Sequence, residues 1–84
     1  MKHYASRRFR SLYQDLPTEV REVADKNYKL LKSNPRHPSL HLKRIGKLWA
    51  VRVGEHYRAL GVDVEGGISW IWIGTHAEYD EILS

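Results

Sequence analysis

The stretch from residue 70 to residue 79, Trp-Ile-Trp-Ile-Gly-Thr-His-Ala-Glu-Tyr, constrains the fold of this chain more than any other. Its first four residues are large and apolar, so a strand here is apolar on both faces. Such a strand is typically central in its sheet and covered on both sides. Gly74 ends the apolar run, and His76 and a short acidic tail follow. The sequence therefore predicts a histidine held at the end of a rigid central strand.

Two helices are predicted before the strands. Apolar residues recur at helical spacing over residues 6–16, and Ser6 is a suitable N-cap. A second amphipathic pattern covers residues 18–33, with Thr18 as its predicted cap. Pro35 ends it, because the residue before a proline avoids the helical conformation. Two helices that meet at one proline predict a helical hairpin.

After a connector of residues 34–40 the apolar period changes from about 3.6 to 2. Four short strands are predicted, at about residues 40–45, 48–54, 57–64 and 68–74. The short glycine-containing breaks between them favour antiparallel neighbours. We predict an α+β fold over residues 1–84 as a single domain. Its N-terminal helical hairpin packs on a four-stranded antiparallel meander sheet, and a short C-terminal helix follows.

The turn at residues 54–56 decides how two arginines are arranged. A three-residue loop pairs Arg52 with Arg58 and places both on one face of the sheet. A two-residue loop places them on opposite faces. We favour the three-residue loop.

The last strand needs a cover on each face. The hairpin supplies one cover, and the tail of residues 76–83 is a candidate for the other. The apolar side of that tail consists of Ala77, Tyr79, Ile82 and Leu83. Alternation along the strand places Trp70 and Trp72 on one side of it. If the tail does not dock, these two tryptophans mark an exposed surface for a partner. We interpret the tryptophans as core packing rather than as a base-stacking platform.

Charge is divided unequally along the chain. Up to Arg58 there are 14 basic and five acidic residues, a net charge of +9. From Ala59 onward there are five acids and no base. A basic surface of this density attracts polyanions, nucleic acid above all, although small soluble domains are also often basic for solubility alone.

Several classes of protein are excluded by composition. The chain has no cysteine, and therefore no disulfide, thiolate zinc site or cysteine nucleophile. No apolar run approaches the roughly 20 residues of a membrane span, and the basic N-terminus lacks the apolar core of a secretory signal. We expect a cytoplasmic protein with no membrane partner.

Five polar residues are predicted to converge: His76, Arg52, Arg58, Lys43 and Tyr79. Such a set suits phosphodiester cleavage, since attack by a ribose 2′-hydroxyl needs a base, an acid and cations for the phosphorane charge. Arginine suits the last role because its planar fork matches phosphate oxygens. The alternative is that His76 is a hydrogen-bonded structural residue.

The other histidines do not predict a metal site. His37 and His41 are four residues apart, but Pro38 excludes a helix between them, and no nearby carboxylate completes a ligand set. We predict no metal and no cofactor. The two histidines are either exposed loop residues or assist in proton transfer.

In order, the chain contains two helices, Asn-Pro, a lysine-bearing strand, W-x-V-R-V at 49–53, Y-R-A-L at 57–60 and G-T-H-A-E-Y at 74–79. This order resembles the RelE/ParE superfamily of type II toxin–antitoxin toxins over nearly the whole chain. The pair formed by His37-Pro38-Ser39-Leu40 and Gly74-Thr75-His76-Ala77 looks most similar to the YafQ-like, histidine-using branch. The resemblance implies a metal-independent, 2′-hydroxyl-dependent messenger-RNA endoribonuclease that acts on the ribosome.

The resemblance also implies roles for single residues. His76 matches the general base or acid after the last strand, Arg58 the phosphate-binding arginine, and Arg52 a basic position in the preceding strand. His37 resembles the connector histidine, and Tyr79 is a further catalytic candidate at a spacing not shared by every branch. The implied RNA-binding residues are Lys43, Arg44, Lys47 and His41.

Partners follow from the resemblance as well. It implies a cognate antitoxin, messenger RNA and the ribosome, and operator DNA through the antitoxin. The usual N-terminal strand is absent or reduced to residues 2–5, so we expect a sheet one strand shorter than in the family. The alternative function is a non-catalytic binding module, either a DNA gyrase inhibitor or a degenerate toxin retained for antitoxin and operator binding.

Overall fold

The computed structural model describes residues 1–84. Five strands, three α-helices and one 3-10 turn follow one another along the chain. In order they are β1 (Lys2–Ala5), α1 (Arg7–Gln14), α2 (Thr18–Ser33), the 3-10 turn (Pro38–Leu40), β2 (Lys43–Ile45), β3 (Leu48–Val53), β4 (Tyr57–Val64), β5 (Gly67–Thr75) and α3 (His76–Leu83). None of the three helices has the length and apolarity that a membrane span requires.

The helical hairpin forms as predicted, apart from one cap. Ser6 caps α1, because its Oγ accepts a hydrogen bond from the backbone N–H of Phe9 at 3.1 Å. The prediction that Thr18 caps α2 is wrong. Pro17 occupies that position and makes no side-chain cap, and Thr18 is the first helical residue. Its hydroxyl instead accepts from Arg21 one turn later, at 3.3 Å.

The sheet has the strand order β1-β5-β4-β3-β2. Strands β2 to β5 form the predicted antiparallel meander. The prediction of a four-stranded, wholly antiparallel sheet is wrong by one strand. The alternative of an N-terminal strand reduced to residues 2–5 is confirmed, since β1 pairs in parallel with β5, with Lys2 opposite Gly67. A segment of four residues is too short a pattern to predict a strand by itself. It becomes a strand because β5 offers it a free edge.

Strand β5 is central and apolar on both faces, as predicted. A register shift opposite Leu60 and Gly61 sets Trp70 against Gly61 and Trp72 against Leu60, so that Ile71 is the extra residue of a β-bulge. The assignment of the two tryptophans to one side is therefore wrong. Trp70 belongs to the core beneath the hairpin, and Trp72 belongs to the core on the opposite face.

Both tryptophans are buried, which confirms core packing for them; Trp70 is 5% and Trp72 is 8% exposed. The tail forms helix α3 and covers the face of the sheet that carries Trp72. It is therefore the second cover of β5, as predicted. Tyr79 is 7% exposed and packs with Ala50, Leu60 and Trp72. The predicted apolar side of the tail is only partly correct, since Ala77 and Ile82 point to solvent.

Helix α3 begins with a capping box. The Thr75 hydroxyl accepts from the backbone N–H of Glu78 at 3.2 Å, and the Glu78 carboxylate accepts from the backbone N–H of Thr75 at 2.9 Å. The bond from the Thr75 backbone N–H, and then one from the Thr75 hydroxyl to the same carboxylate at 2.9 Å, hold the pKa of Glu78 below its ordinary value. The start of α3 is also tied to the β3–β4 turn, because the backbone N–H of His76 donates to the His56 carbonyl at 2.8 Å.

Candidate anion-binding cleft

The three-residue turn at residues 54–56 arranges two arginines on one face of the sheet. Gly54 has a φ of 66°, the left-handed conformation that a side chain disfavours. With β3 ending at Val53 and β4 beginning at Tyr57, Arg52 lies directly opposite Arg58. The favoured loop length is thereby confirmed. Both arginines lie on the face that α3 covers.

Neither guanidinium has a carboxylate partner. The ion pairs of the structure join other residues, and Arg58 donates only to backbone carbonyls, of Tyr57 at 2.7 Å and of Glu55 at 3.5 Å. The Nε of Arg52 is buried without an acceptor. Burial and then the charge of Arg52 lower the pKa of Arg58, and Tyr79 and Asp80 oppose this shift. Two paired cations with unmet donors form a site for an anion.

A cleft of about 130 Å³ lies at this arginine pair. Its lining residues are His41, Lys43, Ala50, Val51, Arg52, Arg58 and Tyr79. We call it the arginine cleft. It collects side chains from β2, β3 and β4, from α3, and from the residue that follows the 3-10 turn. Because strand neighbours fix three of its walls, the positive groups are held in place before any ligand binds.

Five of the nine predicted site residues meet in the arginine cleft. Arg52, Arg58 and Tyr79 are the predicted catalytic residues among them, and His41 and Lys43 are the predicted RNA-binding residues.

His76 lies beside the arginine cleft and does not line it. As the first residue of α3 it is about half exposed, at 47% of its side chain. Its Nδ1 is 3.0 Å from the Asp80 carboxylate, one helical turn later. Its ring is 5.9 Å from the ring of Tyr79, centre to centre. Tyr79 therefore lines the arginine cleft and also lies close to His76.

The remaining predicted residues lie elsewhere. The Nδ1 of His37 accepts from the backbone N–H of Ser39 at 3.2 Å and is 2.8 Å from the Ser39 hydroxyl, so His37 caps the 3-10 turn. Arg44 is opposite Trp49, on the hairpin face, where it pairs with Asp63 and stacks on the Trp49 ring. Lys47 is exposed in the β2–β3 turn. These three residues do not join the arginine cleft.

Two further residues support the site, although neither is among the predicted site residues. Asp80 orients His76, and the i, i+4 spacing of the two on a helix was the available signal. Asn27 of α2 donates from Nδ2 to the Arg52 carbonyl at 3.3 Å and ties the hairpin to β3 behind the arginine. Nothing local in the sequence indicates the second contact, since it joins residues 25 positions apart.

The fold and cleft define a small α+β domain in which a helical hairpin covers one face of a twisted sheet and a C-terminal helix borders a cationic cleft on the other. The sequence model of the ParE-like toxin domain matches residues 18–81. The chain belongs to this family, within the RelE/ParE superfamily of toxins. The YafQ-like branch stays a prediction.

Solved structures show the same fold. Similarity to a chain of the RelB–RelE antitoxin–toxin complex from Methanococcus jannaschii has a TM-score of 0.72, with 15% identity over 96% of this chain and 99% of that chain. Similarity to the isolated RelE toxin of E. coli has a TM-score of 0.64, with 17% identity over 96% of this chain and 93% of that chain. No curated protein matches the chain.

Proposed function

We propose that this protein is an mRNA-cleaving toxin, a metal-independent endoribonuclease that acts on the ribosome. The observation that carries the proposal is the Arg52–Arg58 pair, which has no carboxylate partner and faces the cleft beneath α3. The membership in the ParE-like toxin domain family and the RelE-like fold support it.

The chemistry follows from the residues of the cleft. The two arginines bind the non-bridging oxygens of one phosphodiester, and Lys43 adds a third positive charge. The ribose 2′-oxygen attacks the phosphorus, the bond to the 5′-oxygen breaks, and the products are a cyclic phosphate and a free 5′-hydroxyl. The cations stabilise the extra charge of the phosphorane, which is greater in the transition state than in the substrate.

His76 is the proposed general acid. Its Nδ1 is held against the Asp80 carboxylate, which orients the ring and leaves Nε2 to donate a proton. In this arrangement the leaving 5′-oxygen lies past Tyr79, on the side of His76. Tyr79 lines the cleft and lies close to His76, so its ring positions the RNA that reaches from the arginines to His76.

The proposed partners follow from the family. One solved relative is a RelB–RelE antitoxin–toxin complex, which supports a cognate antitoxin for this chain. We propose that the antitoxin neutralises the basic surface and that operator DNA is contacted through the antitoxin. Messenger RNA and the ribosome, in the cytoplasm, are the proposed targets.

Growth arrest on induced expression and primer-extension mapping of cleaved transcripts test the function. Wild type is expected to arrest growth and to cut messenger RNA, and Arg58→Gln is expected to lose both. Arg44→Gln is the matched control, because it removes an arginine from the opposite face. An equal loss in both variants contradicts the cleft as the active site. Absence of RNA cleavage by wild type, with and without ribosomes, contradicts the ribonuclease, and inhibited DNA supercoiling then identifies the gyrase inhibitor.

A further inference from the structure

His41 is the one histidine that lines the arginine cleft. The other four are engaged or placed elsewhere. His3 bonds to Trp70, His37 caps the 3-10 turn, His56 is exposed in the β3–β4 turn, and His76 lies near Tyr79 but does not line the cleft. Cleavage by 2′-hydroxyl attack needs a group that accepts the hydroxyl proton as well as one that protonates the leaving oxygen. The assignment of His76 leaves the first of these roles open.

The backbone of His41 is held in an unusual conformation. With φ 45° and ψ 41°, it is the one residue other than glycine with a positive φ. Such a conformation is costly for a residue with a side chain and persists only where the surroundings impose it. Here the 3-10 turn imposes it. Leu40 is fully buried, and the backbone N–H of His41 donates to the Pro38 carbonyl at 3.3 Å.

The cap of that turn adds a second support. The Nδ1 of His37 accepts from Ser39, which caps the N-terminal end of the 3-10 turn, while His41 stands at its C-terminal end. Buried Leu40 then fixes where the chain leaves the turn, and His41 follows directly at the rim of the cleft. His37 is thus a positioning residue, and His41 is presented to the cleft by a rigid element.

We propose that His41 is the general base of the arginine cleft, taking the proton of the ribose 2′-hydroxyl; this rests on the proposed ribonuclease function. The 2′-oxygen forms its bond to phosphorus while its proton passes to the unprotonated ring nitrogen of His41. The bond from phosphorus to the 5′-oxygen breaks, and that oxygen takes its proton from His76. The two histidines then exchange protons with water, and no oxidant, metal or further reactant is needed.

The groups around His41 and those around His76 differ, as the roles of a general base and a general acid require. The titratable groups that line the cleft with His41 are Lys43 from β2, Arg52 from β3, Arg58 from β4 and Tyr79 from α3, and none is a carboxylate. His41 therefore has no carboxylate in the cleft that would occupy the ring nitrogen needed to accept the hydroxyl proton. His76 has the Asp80 carboxylate, which suits a donor. Two titratable groups in contrasting surroundings are the usual arrangement of an acid and a base.

His41→Asn tests the proposal, since asparagine tolerates the left-handed conformation and cannot titrate near neutral pH. The substrate is messenger RNA on programmed ribosomes, and the rate is measured in single turnover over pH 5 to 9. The expected result is a loss of about 100-fold or more in cleavage rate. The acidic limb of the pH profile is expected to disappear.

His41→Gly gives a second measurement that does not depend on the first variant. Glycine accepts the positive φ and leaves space at the rim of the cleft, so added imidazole is expected to restore part of the rate. His37→Ala is the contrast, because a positioning residue is expected to lower the rate while leaving the acidic limb and without rescue by imidazole.

The outcomes separate the two proposals. A wild-type protein that cuts RNA, with His41→Asn as fast and with the same acidic limb, overturns the role of His41 and leaves the ribonuclease function intact. A slow His41→Asn that retains the acidic limb, together with His41→Gly that imidazole does not rescue, also overturns it. A wild-type protein that cuts no RNA under any condition overturns the function itself and the role of His41 with it.

Discussion

Arg52 and Arg58 face each other directly across strands β3 and β4, and neither forms an ion pair with a carboxylate. Like charges directly opposite on neighbouring strands destabilise a sheet. The burial that lowers the pKa of Arg58 adds to this cost. The fold maintains the pair because the three-residue turn and the anchored start of α3 fix the register on both sides of it.

Replacing one of the two arginines should therefore stabilise the protein while it abolishes cleavage. For Arg58→Met we expect the free energy of unfolding in low salt to rise by roughly 0.2–1 kcal/mol, the size of a cross-strand pair. The gain should shrink as salt screens the repulsion that wild type retains. Urea unfolding of wild type, Arg58→Met and the control Arg36→Met, which removes an exposed arginine with no ion pair, measures this gain at two salt concentrations. A loss of stability in Arg58→Met alone would mean that the pair is not repulsive.

Tyr79 combines packing with a position in the cleft, and two substitutions separate the two contributions. Tyr79→Ala removes a buried ring from the core beneath α3, and we expect a cost of roughly 3–5 kcal/mol, as for other buried aromatics. Tyr79→Phe keeps the ring, so thermal denaturation should show little change. Because Tyr79 lines the cleft, we expect its hydroxyl to bond the phosphate of bound RNA, and the cleavage rate of Tyr79→Phe should fall roughly tenfold without that bond. An unchanged rate in Tyr79→Phe would limit this residue to packing.

Gly67 allows β1 to approach β5. A Cβ atom at this position would lie 1.9 Å from the backbone oxygen of Lys2, which is too close for any side chain. We expect Gly67→Ala to detach residues 2–5 from the sheet and to cost roughly 1–3 kcal/mol, the range for overpacking. Hydrogen exchange should become faster at the amides of Lys2 and Ser6, which donate to Gly66 and Trp70.

Gly46→Asn is the control for this substitution. Gly46 has a φ of 59° and open space around the position of a Cβ atom, and asparagine tolerates that conformation. Its exchange pattern should match that of wild type. Retained protection at Lys2 in Gly67→Ala would show that β1 and β5 can separate slightly without losing their pairing.

His3 links stability to pH. Trp70 donates from Nε1 to the Nδ1 of His3 at 3.1 Å, and an indole N–H cannot accept, so this bond needs Nδ1 unprotonated. Burial, followed by the charges of the N-terminal amine and of Lys32, lowers the pKa of His3 below the ordinary 6.5. In the window between the lowered pKa and 6.5 the unfolded chain binds more protons than the folded one. Stability should therefore be full above pH 6.5 and decrease as the pH falls below it.

Urea unfolding between pH 5 and 8 measures this slope, and His3→Gln is the matched variant. The glutamine side chain offers a carbonyl to the Trp70 indole and does not titrate. Its stability should change less with pH than that of wild type over the same window. Equal slopes in the two proteins would contradict a lowered pKa for His3.

Long periodic segments of this sequence predicted their structures, and short ones did not. The meander and both hairpin helices follow from the apolar period and the turn residues, as does the opposition of Arg52 and Arg58. Strand β1 and the bulge at Ile71 arise from pairing between distant segments. Local propensity is silent about such contacts, so the four-stranded sheet and the shared side of the two tryptophans were both wrong.

The cleft shows the same limit. Arginines at fixed strand positions can be placed once the register is known, and their convergence with Lys43 was predicted from it. The two loop histidines could not be placed. His41 lines the cleft with its own backbone in the left-handed conformation. His37 caps the 3-10 turn because its Nδ1 bonds to Ser39. Neither conformation is signalled by spacing, because each depends on how the 3-10 turn packs through Leu40.

The central place of β5 has a consequence for biosynthesis. This strand pairs with both β1 and β4, yet it is formed by residues 67–75, near the C-terminal end of the chain. Long-range pairing of this kind forms late, because a large loop must close before it yields contacts. A growing chain that has not reached Gly67 has neither the partner of β1 nor the helix that completes the cleft. The arginine cleft is therefore incomplete in a growing chain until the residues of β5 and Tyr79 of α3 have been added.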